Sequence, residues 1–193
     1  MRRLVLVKHS MPDIDPSKPA STWRLGNVGR YRAGVLATKL RSFSPELIWS
    51  SREPKAVETA SIVARTFDVT VRLADGLEEH HRDEVPYLPK REFENTVEAF
   101  FHHSDQLVLG SETAKQACER FTASIENVMK TGQKDIIVIT HGTVISLYAA
   151  SVAKVHSMSL WHQLGLPSYV VLTLPSMKIQ TTVGSVTASE DAD

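Results

Sequence analysis

Leu4-Val5-Leu6-Val7 is a short, uninterrupted apolar run, half of it β-branched, which predicts a strand buried on both faces of a parallel sheet. Ile136-Ile137-Val138-Ile139 repeats the pattern and is the strongest buried-strand signal in the chain. Leu47-Ile48-Trp49, Val69-Thr70-Val71 and Tyr169 to Leu174 predict further strands. Between them, apolar residues recur at helical spacing. Ala33, Leu36, Ala37 and Leu40 mark a helix over 29–40, and Ala56, Ala60, Val63 and Ala64 mark one from about Lys55 to Thr66. A long helix is predicted from Ser111 to Thr131, ended by Gly132, and another from Val144 to about Ala153. Residues 11–28, rich in proline and polar residues, read as a loop.

Alternation of strand and helix predicts an α/β fold: a three-layer, doubly wound, mostly parallel sheet with helices on both faces. The whole chain, 1–193, is expected to form a single domain. Residues 80–110 break the alternation with prolines, aromatics and a helix expected from Arg91 to Phe101, and read as a lid-like insertion at the sheet's edge. The small, polar stretch 184–193 is expected to be a flexible tail.

Composition narrows the function classes. Lys+Arg and Asp+Glu number 22 each, so the net charge is zero and the chain as a whole has no electrostatic reason to seek nucleic acid or an anionic membrane. Any affinity for phosphate must be local. One cysteine rules out an internal disulfide and suits a reducing compartment. The apolar run before Lys8 is too short for a signal segment, and no run reaches membrane-spanning length, so a cytoplasmic location is expected.

The chemistry is expected at the carboxyl ends of the strands, where open α/β sheets collect ligands. The first strand runs into Lys8-His9-Ser10, and the second into Ser50-Ser51-Arg52 with Lys55 opening the next helix. The strongest runs into Thr140-His141-Gly142-Thr143 and then a helix, whose N-terminus favours an anion. Two histidines and several cations thus converge where a phosphate would sit. Phosphoryl transfer spreads negative charge over three oxygens, so catalysis is positioning and electrostatic stabilisation. Without a metal, side-chain cations must supply the charge. A neutral imidazole can take the phosphoryl group covalently, and a separate acid must protonate the leaving oxygen.

These segments resemble the histidine phosphatases, the phosphoglycerate mutase-like superfamily. Leu4 to Ser10 matches the family's strand and Arg-His-Gly, and Ser51 to Ala60 matches its Ser, spacer, Arg-Ala and Thr-Ala pairs. Leu77-Glu78-Glu79 matches the Leu-x-Glu element, and Ile139-Thr140-His141-Gly142 the second strand with His-Gly. Gly110-Ser111-Glu112-Thr113 is similar to the family's Gly-Glu-Ser helix start, with Arg120 near a common downstream arginine. The resemblance implies a phosphomonoester hydrolase acting on a small phosphorylated substrate without metal or cofactor. It assigns His9 as nucleophile, Glu79 as proton donor, and His141, Lys8 and Lys55 as phosphate ligands; Ser10, at the glycine position, and Arg52, whose spacing differs from that of the family arginine, are read as further phosphate contacts.

The sequence departs from the pattern in ways that matter physically. Lys8 and Lys55 stand where the family has arginine, keeping charge but losing the planar fork, and Ser10 stands where it has glycine. A phosphate-binding protein of this fold without turnover is therefore an alternative, and a mutase a weaker one, since mutases are usually longer and keep both arginines. His80-His81 and His102-His103 raise a metal-dependent alternative, but neither pair has a helical partner four residues on or a nearby cysteine. The sequence leaves the oligomeric state open.

Overall fold

A computed structural model of the chain describes residues 2–132 and 134–187. Six strands, β1 (Arg3–Lys8), β2 (Pro45–Ser50), β3 (Val71–Leu73), β4 (Asp135–Thr140), β5 (Ser168–Thr173) and β6 (Lys178–Val183), form one sheet in the order β3-β2-β4-β1-β5-β6. The four from β3 to β1 are parallel, and β5 and β6 add an antiparallel edge. Six helices accompany them: α1 (Asn27–Lys39), α2 (Pro54–Phe67), α3 (Lys90–His102), α4 (Ala114–Met129), α5 (Gly142–Ala153) and α6 (Ser157–Gln163).

The apolar runs have the expected cause. β1 lies between β4 and β5, and Leu4 to Val7 are fully buried. Leu4 and Leu6 pack on one face with Phe121 and Ile125 of α4, Val144 and Tyr148 of α5 and Leu160 of α6. Val5 and Val7 pack on the other with Leu36 and Ala37 of α1 and Ala56, Ala60 and Val63 of α2. The sheet is thus a middle layer covered on both sides, as the patterning implied.

Two elements escaped the sequence reading. The edge strand β6 is largely exposed and carries few apolar residues, so its burial leaves little trace in the sequence. The seven residues of α6 are too few to display a helical stripe. Within residues 80–110, α3 packs against α6 in a small separate core that includes Val97, Phe100, Leu109 and Met158. The stretch expected to be a loose tail begins as packed chain: Val186 is buried and donates its N–H to Pro167 O at 2.9 Å. Residues 188–193 of that stretch lie outside the described residues.

Parallel pairing brings three strand ends level. Lys8 pairs with Thr140, and Ser50 with Ile139. The next residues keep the ladder going, His9 N–H donating to Thr140 O and Ser51 N–H to Ile139 O, each at 2.9 Å. His9, Ser51 and His141 therefore emerge side by side at the carboxyl edge.

Candidate active site

At that edge lies a cavity of about 370 Å³, within the range of small-molecule sites. Its floor holds Lys8, His9, Glu53, Lys55, Glu79 and His141, and its mouth is edged by Trp23, Phe93 and Trp161.

His9 is buried, and its Nδ1 lies 2.7 Å from Ser10 O. A carbonyl only accepts, so Nδ1 carries the hydrogen and, in the neutral ring, Nε2 keeps its lone pair. Burial holds the His9 pKa well below its ordinary value, helped by the charges of His141 and Lys55, so the ring is neutral at pH 7. The His141 ring stands beside it, centroids 5.1 Å apart. His141 Nε2 is 2.8 Å from Ser51 Oγ and 3.3 Å from Glu53 Oε1, while Nδ1 is buried without a hydrogen-bond partner among the described residues. Burial pushes His141 down to about 4, against the opposing pull of Glu53.

The lysines are held by protein oxygens. Lys8 Nζ donates to Leu164 O at 2.6 Å. Its stem crosses the start of α5 so closely that a Cβ on Gly142 would come within 3.0 Å of Lys8 Cε, so glycine is what lets the ammonium reach the cavity. Burial lowers Lys8 to about 8; Glu79 opposes this and Arg82 adds to it. Lys55, in the first turn of α2, donates to Ala20 O at 2.5 Å and to Glu53 Oε2.

Glu79 takes hydrogen bonds from its neighbour's N–H at His80, 3.0 Å, and from Thr143 N–H at the head of α5, 3.3 Å. Burial would raise its carboxyl, but Arg82, His141 and His80 outweigh that and hold it down to about 2. Its backbone is clamped from both sides. Glu79 N–H donates to Glu53 Oε1 at 2.9 Å, and Glu79 O accepts from Arg120 Nη2 at 3.1 Å. Arg120, on α4, also donates to Gly76 O and Glu78 O and pairs with Glu112 at 2.6 Å.

Five of the expected site residues thus meet in the cavity: Lys8, His9, Lys55, Glu79 and His141. Two do not. Ser10 is fully buried beneath the floor, its hydroxyl donating to Gly29 O at 2.7 Å and its N–H to Thr59 Oγ1 at 3.0 Å, so it has no donor to offer a ligand. Arg52 precedes Pro54, where α2 begins, and points outward to Asp75, with half its side chain in solvent. Conversely, Glu53 and Arg82 were not expected. Glu53 is the buried hub joining Lys55, His141 and Glu79, and Arg82 lines the cavity from the 80–110 segment. No group of three or more metal-ligating side chains occurs among the described residues.

The model of the histidine phosphatase superfamily (branch 1) matches residues 7–182, from the end of β1 to β6. The chain belongs to that superfamily. Several solved structures share its fold. A mycobacterial glucosyl-3-phosphoglycerate phosphatase solved with VO3 superposes with a TM-score of 0.76 at 20% identity, over 95% of this chain and 98% of its own. The phosphoserine phosphatase of Entamoeba histolytica, solved with 3-phosphoglyceric acid, gives 0.75 at 16% identity over 96% and 98%. YhfR of Bacillus stearothermophilus gives 0.76 at 18% identity over 97% and 98%. No curated protein matches the sequence. At these identities the structural likeness speaks for the fold, and for this superfamily member the chemistry must be argued from its own cavity.

Proposed function

We propose that the chain hydrolyses small phosphomonoesters through a phosphohistidine formed on His9. The observation that carries this is the anchored imidazole: with Nδ1–H tied to Ser10 O, the Nε2 lone pair is the reactive face of a neutral ring on a cation-lined floor. Nε2 attacks phosphorus in line, forming the N–P bond as the ester P–O bond breaks. Lys8 and Lys55 each keep an ammonium donor beyond those spent on protein oxygens, and these face the phosphoryl oxygens. His141 takes up a proton at Nδ1 beside the bound anion and becomes a further donor.

Glu79 delivers a proton to the departing oxygen and then accepts one from the water that cleaves the phosphohistidine, releasing phosphate. In the free site the carboxyl is ionised at neutral pH. A phosphate anion placed beside it raises its proton affinity, so Glu79 takes up the proton that the monoester monoanion brings and becomes the neutral acid as the substrate arrives. The relatives solved with 3-phosphoglyceric acid and VO3 support a small phosphorylated substrate of this kind.

The test is direct. Quenching turnover of nitrophenyl phosphate in alkaline detergent is expected to trap alkali-stable phosphate, released by later acid treatment, on a peptide containing His9. Absence of any trapped phosphate, with hydrolysis continuing, overturns the reading. A protein that binds vanadate but neither hydrolyses nor becomes phosphorylated would instead be a binding protein.

The same assignment sets a pH dependence. Lys8 is charged below about 8 and loses its proton above it. Its contribution to phosphate binding is therefore full at neutral pH and fades as pH rises. For nitrophenyl phosphate, kcat/KM is expected to show an alkaline limb near pH 8 that Lys8→Arg moves beyond pH about 10, because arginine stays charged there. An unchanged limb in that variant would remove Lys8 from the phosphate contacts.

A further inference from the structure

Phosphate sites favour guanidinium because its planar fork matches two oxygens at once. The two positions where the sequence resemblance expects arginine hold Lys8 and Lys55, and both ammonium groups are partly spent on Leu164 O, Ala20 O and Glu53. Arg52, the nearest arginine in sequence, is turned out to Asp75. Arg82 is different. It lines the cavity, its Nη1 is buried without a hydrogen-bond partner, and no carboxylate pairs with it among the described residues. A buried charged donor left unmade is costly and calls for a partner, which a bound anion provides.

Its position is also fixed before any ligand arrives. The guanidinium carbon lies 4.7 Å from the centroid of the Phe93 ring, a cation–π contact from α3 that sets the plane of the fork. Its backbone is wedged against Gly110, which has a φ of +79° and where a Cβ would come within 2.8 Å of Arg82 Cα. His81 beside it is pinned by Ser111 N–H to its carbonyl and by Glu112 Oε1 to its own N–H. Side chain and main chain are therefore held as a preorganised site requires.

We infer that Arg82 is the guanidinium that grips the substrate in this site, its Nη1–H donating to a non-bridging oxygen of the phosphoryl group poised over His9. This rests on the phosphohistidine reading given above. It also couples grip to acid chemistry. Arg82 is the foremost charge holding Glu79 ionised in the free site. Once the guanidinium is shared with the phosphoryl group, Glu79 takes up a proton more readily and can pass it to the leaving oxygen.

Orthovanadate is the probe, because it presents phosphoryl-like oxygens and no leaving group. Calorimetric titration of Arg82→Met is expected to show a vanadate Kd raised about ten- to hundredfold over wild type, the scale of one hydrogen bond to a charged group. Arg82→Lys should lie between, and kcat/KM for nitrophenyl phosphate should fall in parallel. Wild-type vanadate affinity in the Met variant overturns the inference. So does a loss confined to substrates bearing an extra carboxylate, which would place Arg82 on the leaving group. Should the Met variant fail to fold by near-UV circular dichroism, wild-type affinity in the Lys variant overturns it equally. Failure here is separable from failure of the underlying reading: wild type that traps phosphohistidine on His9 keeps that reading even if Arg82 proves silent.

Discussion

His9→Ala is expected to lower kcat/KM for nitrophenyl phosphate by about 10³-fold or more, the scale seen when an enzyme's nucleophile is removed, and to abolish acid-labile phosphorylation. The covalent route needs an unprotonated ring nitrogen facing the cavity, and His9 Nε2 is the one the Ser10 carbonyl sets free. His141 has another part: its Nε2 is committed to Ser51 and Glu53, and its unpartnered Nδ1 is the nitrogen that takes up a proton to hold the anion in the proposed mechanism. The fold should survive. The ladder bond at residue 9 is made by its backbone N–H to Thr140 O, and the core on either side of β1 is built from Leu4 to Val7. Near-UV circular dichroism and thermal unfolding check this alongside stopped-flow kinetics. Turnover within about tenfold of wild type would place the nucleophile elsewhere.

Glu79→Gln should separate substrates by leaving group. The amide keeps one acceptor oxygen, which can serve the closer His80 N–H but not the Thr143 N–H as well, and it has no acidic proton to give. An alkyl phosphate leaves poorly without protonation, so transfer to His9 should slow by about 10²- to 10³-fold, a usual size for general acid catalysis. Nitrophenyl phosphate leaves readily, so the first transfer should stay fast. The second step then stalls, because water loses its base, and a burst of nitrophenol with accumulating phosphoenzyme is the expected trace. Equal slowing of both substrates with no burst would take Glu79 out of the acid role.

What could be read from sequence depended on whether burial left a periodic mark. β1 and β4 are covered on both faces, and an uninterrupted apolar run is the only pattern such strands can carry. α1, α2 and α4 show stripes because one side of each meets the sheet, whereas α5 is buried along most of its length and reads as apolar nearly throughout. β6 lies at an exposed edge and α6 is seven residues long, so neither imposes a pattern. The candidate site divides in the same way. His9, His141, Lys8 and Lys55 sit at strand ends or a helix start, where the element fixes the direction of the residue. Ser10 was misjudged because a distant carbonyl, Gly29 O, draws its hydroxyl beneath the floor. Arg52, a further contact only through its place beside the second lysine, is swung outward by the turn before Pro54. Glu53 and Arg82 lie on irregular chain whose path no periodicity reveals. An acid directly before a proline-initiated helix was the one sequence cue to Glu53, since such a place suits negative charge.

The aromatic rim of the cavity has a practical consequence. The chain has three tryptophans, and two of them, Trp23 and Trp161, stand at the mouth of the site. Trp23 is tethered through its indole N–H to Asp15 O at 3.0 Å, and Trp161 rests 6.0 Å from the Phe93 ring, the same ring that carries Arg82. The third, Trp49, lies in β2 and packs against the sheet core, away from the opening. The molecule therefore carries its own optical reporter: emission from the rim responds to whatever fills the cavity while Trp49 supplies a steady background, so occupancy can be followed in unlabelled protein.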